Sequence, residues 1–170
     1  TATNRRIAGR EEEDVYHALG LAWIAPELRE DTGEIDAAKT GRLPSLVEAG
    51  DIKGDFHIHT AWSDGSDSLD DVAKAGQARG YQYLAICDHS QSLKVAHGMT
   101  VARLRQQMAK IRSINARAER CRLLMGAEVD ILSDGAMDYP DDVLAELDFV
   151  VGSIHSGFTQ GERAITRRII

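Results

Sequence analysis

Two histidines separated by a single residue, His57 and His59, are the side chains of this sequence best placed to do chemistry. They lie in residues 55–60, whose alternating pattern predicts a β-strand. Because alternate side chains of a strand share a face, both imidazoles are expected on one face, with Phe56 and Ile58 on the other. Two imidazoles about 7 Å apart along a strand can bind one metal ion or two neighbouring ions. Alone, the pair fits a solvent-exposed edge strand equally well.

Four further residues of metal-ligand type occur at regular points along the chain. Asp64 lies in a glycine-containing loop just after the first predicted strand, and His89, Glu128 and His155 each end one of the next three strands. The carboxyl ends of parallel strands meet at one edge of a sheet or barrel, where α/β proteins assemble their sites. An isolated buried histidine or glutamate is usually a core residue, but this succession predicts a single shared site.

The residue types in this set indicate the chemistry. Histidines mixed with carboxylates, without cysteine ligands, favour manganese, zinc or iron in a hydrolytic site over a structural zinc site. A cluster of two or more ions can generate hydroxide near neutral pH and stabilise charge on an attacked phosphorus centre. No protein nucleophile is then needed, and the sequence has no Gly-x-Ser-x-Gly motif and no phosphate-binding glycine-rich loop.

Strands and helices alternate in the part of the chain that carries these residues. Strands are predicted at 55–60, 83–87, 123–129 and 149–154, with helices after Ser68 and Thr100, over 141–147 and from about Thr159. Such alternation predicts an α/β fold with a parallel sheet or barrel. Residues 1–50, with acids at the start of a first helix, are expected to form a short, mainly helical segment that is not a complete domain.

Composition sets broad limits on function. The 170 residues are 43% hydrophobic and carry a formal net charge of -7, which argues against coating nucleic acid through a basic surface. Bound divalent cations would still allow a phosphate-handling site. No apolar run approaches the roughly 20 residues of a membrane span, and no signal peptide is evident, so a cytoplasmic location is expected. Cys87 and Cys121 are expected to be free thiols, with a single disulfide as the alternative.

Five motifs together resemble those of the polymerase-and-histidinol-phosphatase (PHP) superfamily. In chain order they are His57-Ile58-His59-Thr60, Ser63-Asp64-Gly65, Asp88-His89-Ser90, Gly126-Ala127-Glu128 and Ser153-Ile154-His155-Ser156. The resemblance implies a distorted (β/α)7 TIM-like barrel with a trinuclear metal site, of which about four of the seven strands would be present here.

Within that superfamily, the sequence is most similar to the C-terminal domain of bacterial family X DNA polymerases. Residues 13–21 and 24–30 resemble the end of the polymerase thumb and the linker that follows it. The resemblance therefore implies a thumb end and linker over residues 1–50 and the N-terminal part of a PHP domain over residues 51–170. The remainder of a parent polymerase chain would be its partner.

The resemblance also implies roles for individual residues. Two or three divalent ions, manganese or zinc with iron as a further possibility, would be bound by residues that act catalytically through the metal: His57, His59, Asp64, His89, Glu128 and His155. The family's remaining three ligands, a histidine and a late Asp-x-His pair, have no counterpart in this sequence. A longer parent protein is therefore expected.

Three functions remain open at this point. The resemblance favours a 3′-5′ exonuclease that processes DNA 3′ ends, single-stranded or gapped, in DNA repair. A small-molecule phosphatase of the histidinol phosphatase type carries the same motifs. A non-catalytic, metal-stabilised scaffold of a DNA polymerase is the third alternative.

Several other residues receive a structural interpretation from the sequence. Asp88 would either orient the neighbouring ligand or be an ordinary carboxylate at a strand end, and Asp55 and Asp130 are expected to be solvated or to cap helices. Trp62 would either stack on a nucleobase or pack across the barrel mouth. A solvated face, with contact to a DNA backbone as the alternative, is expected for the basic residues of one long predicted helix, which are Arg103, Arg105, Lys110, Arg112, Arg117 and Arg120.

Overall fold

The computed structural model describes residues 9–118 and 120–170. Residues 1–8, which begin the predicted N-terminal segment, and residue 119 lie outside the described part. The chain divides into two compact units, Thr1–Glu48 and Ala49–Ile170. Among the described residues, no helix combines the length and the apolar character needed to cross a membrane.

The described part of the first unit is mainly helical, as predicted. It contains α1 (Glu12–Ala18), α2 (Glu34–Lys39) and a short 3-10 helix, Pro26–Leu28. A reciprocal capping box between Glu11 and Asp14 begins α1, whose first turn is acidic and therefore complements the helix dipole.

The Arg29 side chain links α1 to the segment between α1 and α2. Its guanidinium donates to the carbonyl oxygen of Ile24 at 2.8 and 3.0 Å and to the Glu12 carboxylate at 2.8 Å. The Trp23 indole donates to the same carboxylate at 3.1 Å. The hydrogen bonds from Arg29 and Trp23 hold the pKa of Glu12 below its usual value.

The second unit is a four-stranded parallel sheet with helices, a half-barrel that confirms the predicted α/β architecture. The strands pair in chain order, from β1 to β4. Short 3-10 helices occur at Ala49–Asp51 and Lys94–Ala96. The strands and helices are β1 (Gly54–Ile58), α3 (Leu69–Ala78), β2 (Tyr83–Ile86), α4 (Val101–Asn115), β3 (Arg122–Asp130), α5 (Asp141–Leu144), β4 (Phe149–Ser153) and α6 (Glu162–Ile169).

The starts of α3 and α4 follow from their capping residues. Ser68 accepts a hydrogen bond from the Asp71 backbone amide, and Thr100 accepts one from the Arg103 amide. Both N-caps were predicted, because a hydroxyl at this position satisfies a helix amide that has no partner within the helix.

Helices α3, α4 and α5 cover one face of the sheet and bury the core there. Two clusters of side chains fill this layer, and fully burying an aliphatic side chain stabilises a fold by about 1.5–3 kcal/mol. The first cluster includes Leu69, Leu84, Ile86, Ile111 and Leu123. The second includes Leu104, Met108, Ala127, Val129 and Val143. Side chains of β2 and β3, the two central strands of the sheet, therefore contribute to this buried layer.

Phe56 lies on a different face from the one predicted. The pairing register between β1 and β2 shifts between Asp55 and Ile58, which is a β-bulge or similar irregularity. Ile58 packs against the helix-covered core, but the Phe56 ring lies 5.1 Å from the Tyr83 ring and 5.7 Å from the Phe149 ring. An irregularity of this kind interrupts the strict alternation of faces, so the prediction was wrong for Phe56 and correct for Ile58.

Gly98, in the loop between β2 and α4, makes a close backbone approach that excludes any side chain. A Cβ atom at this position would collide with the carbonyl oxygen of Ser90. Because backbone must move to relieve the clash, Gly98→Ala is expected to lower the free energy of unfolding by about 1–3 kcal/mol. Urea denaturation measures this change. Gly50→Ala is the matched control, since a Cβ there meets nothing within 4 Å; equal losses in both variants would contradict the prediction.

Candidate metal centre

The structure brings all six predicted ligands together at the carboxyl ends of the strands. Two of them lie within strands, His57 in β1 and Glu128 in β3, and the other four follow strands. His59 comes directly after β1, and Asp64 belongs to the next loop. His89 and His155 follow β2 and β4 by three and two residues.

Glu128 lies at the middle of the group. Its Oε2 atom is 3.1 Å from His57 Nε2, 3.3 Å from His59 Nε2 and 3.3 Å from His89 Nδ1. Its Oε1 atom is 3.3 Å from His155 Nε2. One carboxylate therefore faces four imidazoles, an arrangement that can bridge neighbouring cations.

Asp64 closes the other side of the group. Its two carboxylate oxygens lie 3.2 Å from His59 Nδ1 and 3.5 Å from His89 Nε2. The loop is tight, because the amides of Ser63 and Gly65 both donate to the Thr60 carbonyl oxygen. This turn directs the carboxylate of an otherwise exposed residue back toward the two histidines.

Three overlapping triads in this group could each hold a metal ion. Among the described residues, the ligand atoms of each of these triads lie within 4.8 Å of one another. The triads are His57–His59–Glu128, His59–Asp64–His89 and His89–Glu128–His155. The Nδ1 atoms of His59 and His89 are also buried without a hydrogen-bond partner. Imidazole and carboxylate donors with uncommitted buried nitrogens fit divalent cations well.

The local environment lowers the pKa of three groups of the centre, His89, Glu128 and Asp64. Burial lowers the pKa of His89, which favours the neutral imidazole. Burial opposes ionisation of Glu128, but hydrogen bonds from Ser153 and His57 bring its pKa below the usual value. For Asp64 burial is likewise outweighed, chiefly by the charge of His89, and its pKa is lowered. Neutral imidazoles and ionised carboxylates are the forms that bind metals.

Asp88 organises the backbone around the site without belonging to it. It is fully buried and accepts hydrogen bonds from the Thr60 amide at 2.7 Å and the Thr60 hydroxyl at 2.6 Å. The Ser63 hydroxyl and Gln107 Nε2 donate to it at 2.5 Å each. These bonds fix the loop that carries Asp64 and do not involve His89, so a direct effect of Asp88 on its neighbouring ligand stays a prediction.

Asp130 is buried, so the prediction that it is solvated or caps a helix was wrong. Its exposed fraction is 4%, and its Oδ1 atom lies 2.5 Å from His155 Nδ1. Its Oδ2 atom accepts a hydrogen bond from the Ser92 hydroxyl at 2.7 Å. The end of β3 and the loop after β2 enclose the carboxylate, and a sequence pattern does not reveal this enclosure. Asp55, by contrast, is exposed as predicted.

The remaining residues singled out from the sequence have structural partners. Trp62 packs against both core clusters, and its carbonyl oxygen accepts a hydrogen bond from Arg103.

The basic residues predicted for one helix do not all lie in α4. This helix ends at Asn115, before Arg117 and Arg120. Ion pairs on this surface join Arg105 to Glu146 at 2.7 Å and Lys110 to Asp70 at 2.7 Å. Both cysteines are free and buried, as expected.

Comparison with known proteins agrees with the geometry. The PHP domain family matches residues 55–169, and the DNA polymerase beta thumb family matches residues 1–30. The chain is 49% identical over 158 residues to the DNA polymerase/3′-5′ exonuclease PolX of Bacillus subtilis (strain 168), covering 93% of this chain and 27% of that protein. It is 32% identical over 103 residues to a probable phosphatase of Acetivibrio thermocellus, covering 59% of this chain and 40% of that protein.

The chain thus spans about a quarter of the length of the polymerase relative and less than half of the phosphatase relative. The matched PHP segment contains all six residues of the candidate centre, strands β2 to β4 and all of β1 except Gly54. It also covers about two thirds of the chain. The chain therefore belongs to the PHP domain family.

Proposed function

We propose that this chain contributes the first half of a metal-dependent phosphoesterase centre that acts as a 3′-5′ exonuclease within a bacterial family X DNA polymerase. The observation that carries the proposal is the position of Glu128, with its two oxygens within 3.1–3.3 Å of four histidines. The likeness to a polymerase that is also named a 3′-5′ exonuclease supports DNA as the substrate.

The metal ligands in this proposal are the six residues of the centre. They would hold two or three divalent ions, manganese or zinc with iron as a further candidate. When bound, such ions make water a stronger nucleophile and stabilise charge on a phosphoryl group.

The proposal extends to the organisation of the parent protein. Residues 1–50 are assigned as the end of a polymerase thumb with its linker, and residues 51–170 as the N-terminal part of the PHP domain. The thumb-family match over residues 1–30 supports this assignment. The partners would be DNA with single-stranded or gapped 3′ ends and the rest of the polymerase chain. A DNA substrate in a bacterial cell implies a cytoplasmic location.

The test is a nuclease assay on the full-length protein with manganese. Single-stranded DNA and gapped DNA with a mismatched 3′ end, each labelled at the 5′ end, should be shortened stepwise from the 3′ end. Prior treatment with a chelator should stop the reaction, and added manganese should restore it. Intact DNA after incubation with the metal-loaded protein would refute the exonuclease proposal.

The likeness to a probable phosphatase supports a second candidate function. Release of inorganic phosphate from histidinol phosphate, with DNA left intact, would establish a small-molecule phosphatase instead. Metal binding that raises the melting temperature without hydrolysis of either substrate would establish a non-catalytic scaffold. The same preparation can be used for all three measurements.

A further inference from the structure

We propose that Asp130 is a positioning residue for His155, holding the imidazole so that its Nε2 atom faces the metal centre. The inference rests on the proposed metal site, but it concerns a carboxylate outside the six candidate ligands. Its first readout needs no metal, so the two proposals can fail separately.

The two ring nitrogens of His155 have distinct environments. Nδ1 lies 2.5 Å from Asp130 Oδ1, whereas Nε2 lies 3.3 Å from Glu128 Oε1 and 3.2 Å from the Ser153 hydroxyl. An ionised carboxylate can only accept a hydrogen bond, so the proton of the neutral ring belongs on Nδ1. Nε2 then keeps its lone pair, directed at the centre. Carboxylates commonly fix metal-binding histidines in this way.

Two other histidines of the centre, His59 and His89, lack this arrangement. The Nδ1 atoms of His59 and His89 have no hydrogen-bond partner, and the carboxylates nearest to them are those of the candidate ligands themselves. The tautomer of His155 is therefore set by a group that does not compete for the metal. Loss of Asp130 should weaken the His89–Glu128–His155 triad selectively.

Asp130 is itself held in place by the loop that follows the neighbouring strand, β2. Its Oδ2 atom accepts from the Ser92 hydroxyl at 2.7 Å, and its backbone amide donates to the Ser90 hydroxyl at 2.9 Å. Both serines follow His89 in the loop after β2. The Asp130 carboxylate thus links the loop that follows His89 to the imidazole ring of His155. A shift of this loop would therefore rotate His155.

The first experiment reads the tautomer directly. Long-range proton–nitrogen correlation spectra of the metal-free chain, recorded at about pH 8 where unperturbed imidazoles are neutral, distinguish the two tautomers. The His155 signals are assigned with a His155→Gln variant. The unchanged chain and Asp130→Asn, whose amide oxygen still accepts, should show the proton on Nδ1. Asp130→Ala should move it largely to Nε2.

The second experiment measures the metal affinity of the full-length protein by calorimetric titration with manganese and with zinc. Asp130→Ala should weaken binding at one site by about 10- to 100-fold, the usual cost of losing such a partner. Asp130→Asn should lose less than about tenfold, because the ring stays oriented. Asp134→Asn, an exposed aspartate after the same strand, is the control and should bind as the unchanged chain does.

Two results would overturn the proposal. One is a proton on Nε2 of His155 in the unchanged chain. The other is an Asp130→Asn variant that keeps the Nδ1 tautomer yet loses as much affinity as Asp130→Ala, since Asp130 would then be a ligand. The expected tautomers without any metal binding by the full-length protein would support orientation by Asp130 and refute the proposed metal site.

Discussion

Replacement of Glu128 by glutamine is expected to lower the exonuclease rate of the full-length protein by about a thousandfold, equivalent to about 4 kcal/mol of transition-state stabilisation. The change keeps the shape of the side chain but removes the charge that faces four imidazoles at 3.1–3.3 Å. An amide is a poor bridge between cations, so two of the three triads should bind metal weakly. Rates on 5′-labelled single-stranded DNA with saturating manganese measure the effect.

Glu162→Gln provides the matched control for this experiment. Glu162 is an exposed glutamate at the start of α6, and its replacement should leave the rate unchanged. A Glu128→Gln protein that retained more than about a tenth of the rate would show that Glu128 does not support catalysis through metal. The melting temperature of each variant distinguishes loss of the centre from loss of the fold.

Replacement of Asp88 by alanine is expected to destabilise the fold by about 3–5 kcal/mol, because four buried donor contacts lose their acceptor. The donors are the Thr60 amide and hydroxyl, the Ser63 hydroxyl and Gln107 Nε2, at 2.5–2.7 Å. Urea denaturation of the chain measures the loss. Metal affinity should fall as well, because the freed loop carries Asp64.

Asp88→Asn should be milder than the alanine variant. Its amide oxygen replaces one acceptor, and Gln107 can turn so that Oε1, which is buried without a partner, accepts from the new amide group. Asp67→Ala, an exposed aspartate beyond the same loop, is the control and is expected to change stability by less than about 0.5 kcal/mol. Equal losses for the alanine and asparagine variants would exclude this account of the Asp88 contacts.

The sequence predicted the parts of the fold that depend on local pattern. Alternating strands and helices predicted a parallel sheet or barrel, the family resemblance implied that about four barrel strands are present, and Ser68 and Thr100 predicted the helix starts. The expectation that six ligand-type residues converge rested on strand ends and on family motifs, and the structure brings them together. Their role as ligands remains a prediction.

The residues that support the centre could not be predicted in the same way. Burial of Asp130 depends on the loop that carries Ser92, 38 positions earlier in the chain, and no local pattern encodes that contact. The side on which Phe56 lies depends on an irregularity in pairing with β2. The sequence did contain one indication of a buried polar contact. Gln107, which donates to Asp88, is a polar residue within the buried face of α4 formed by Leu104, Met108 and Ile111.

The separation of the candidate ligands along the chain has a consequence for folding. His57 and Glu128 are 71 positions apart, and His155 lies beyond them, two residues after β4. Closing contacts of such long range costs chain entropy and occurs late, after local helices have formed. During synthesis the earlier ligands would leave the ribosome well before the later ones. Metal binding would therefore stabilise the fold at a late stage of folding. It would not act as the folding nucleus.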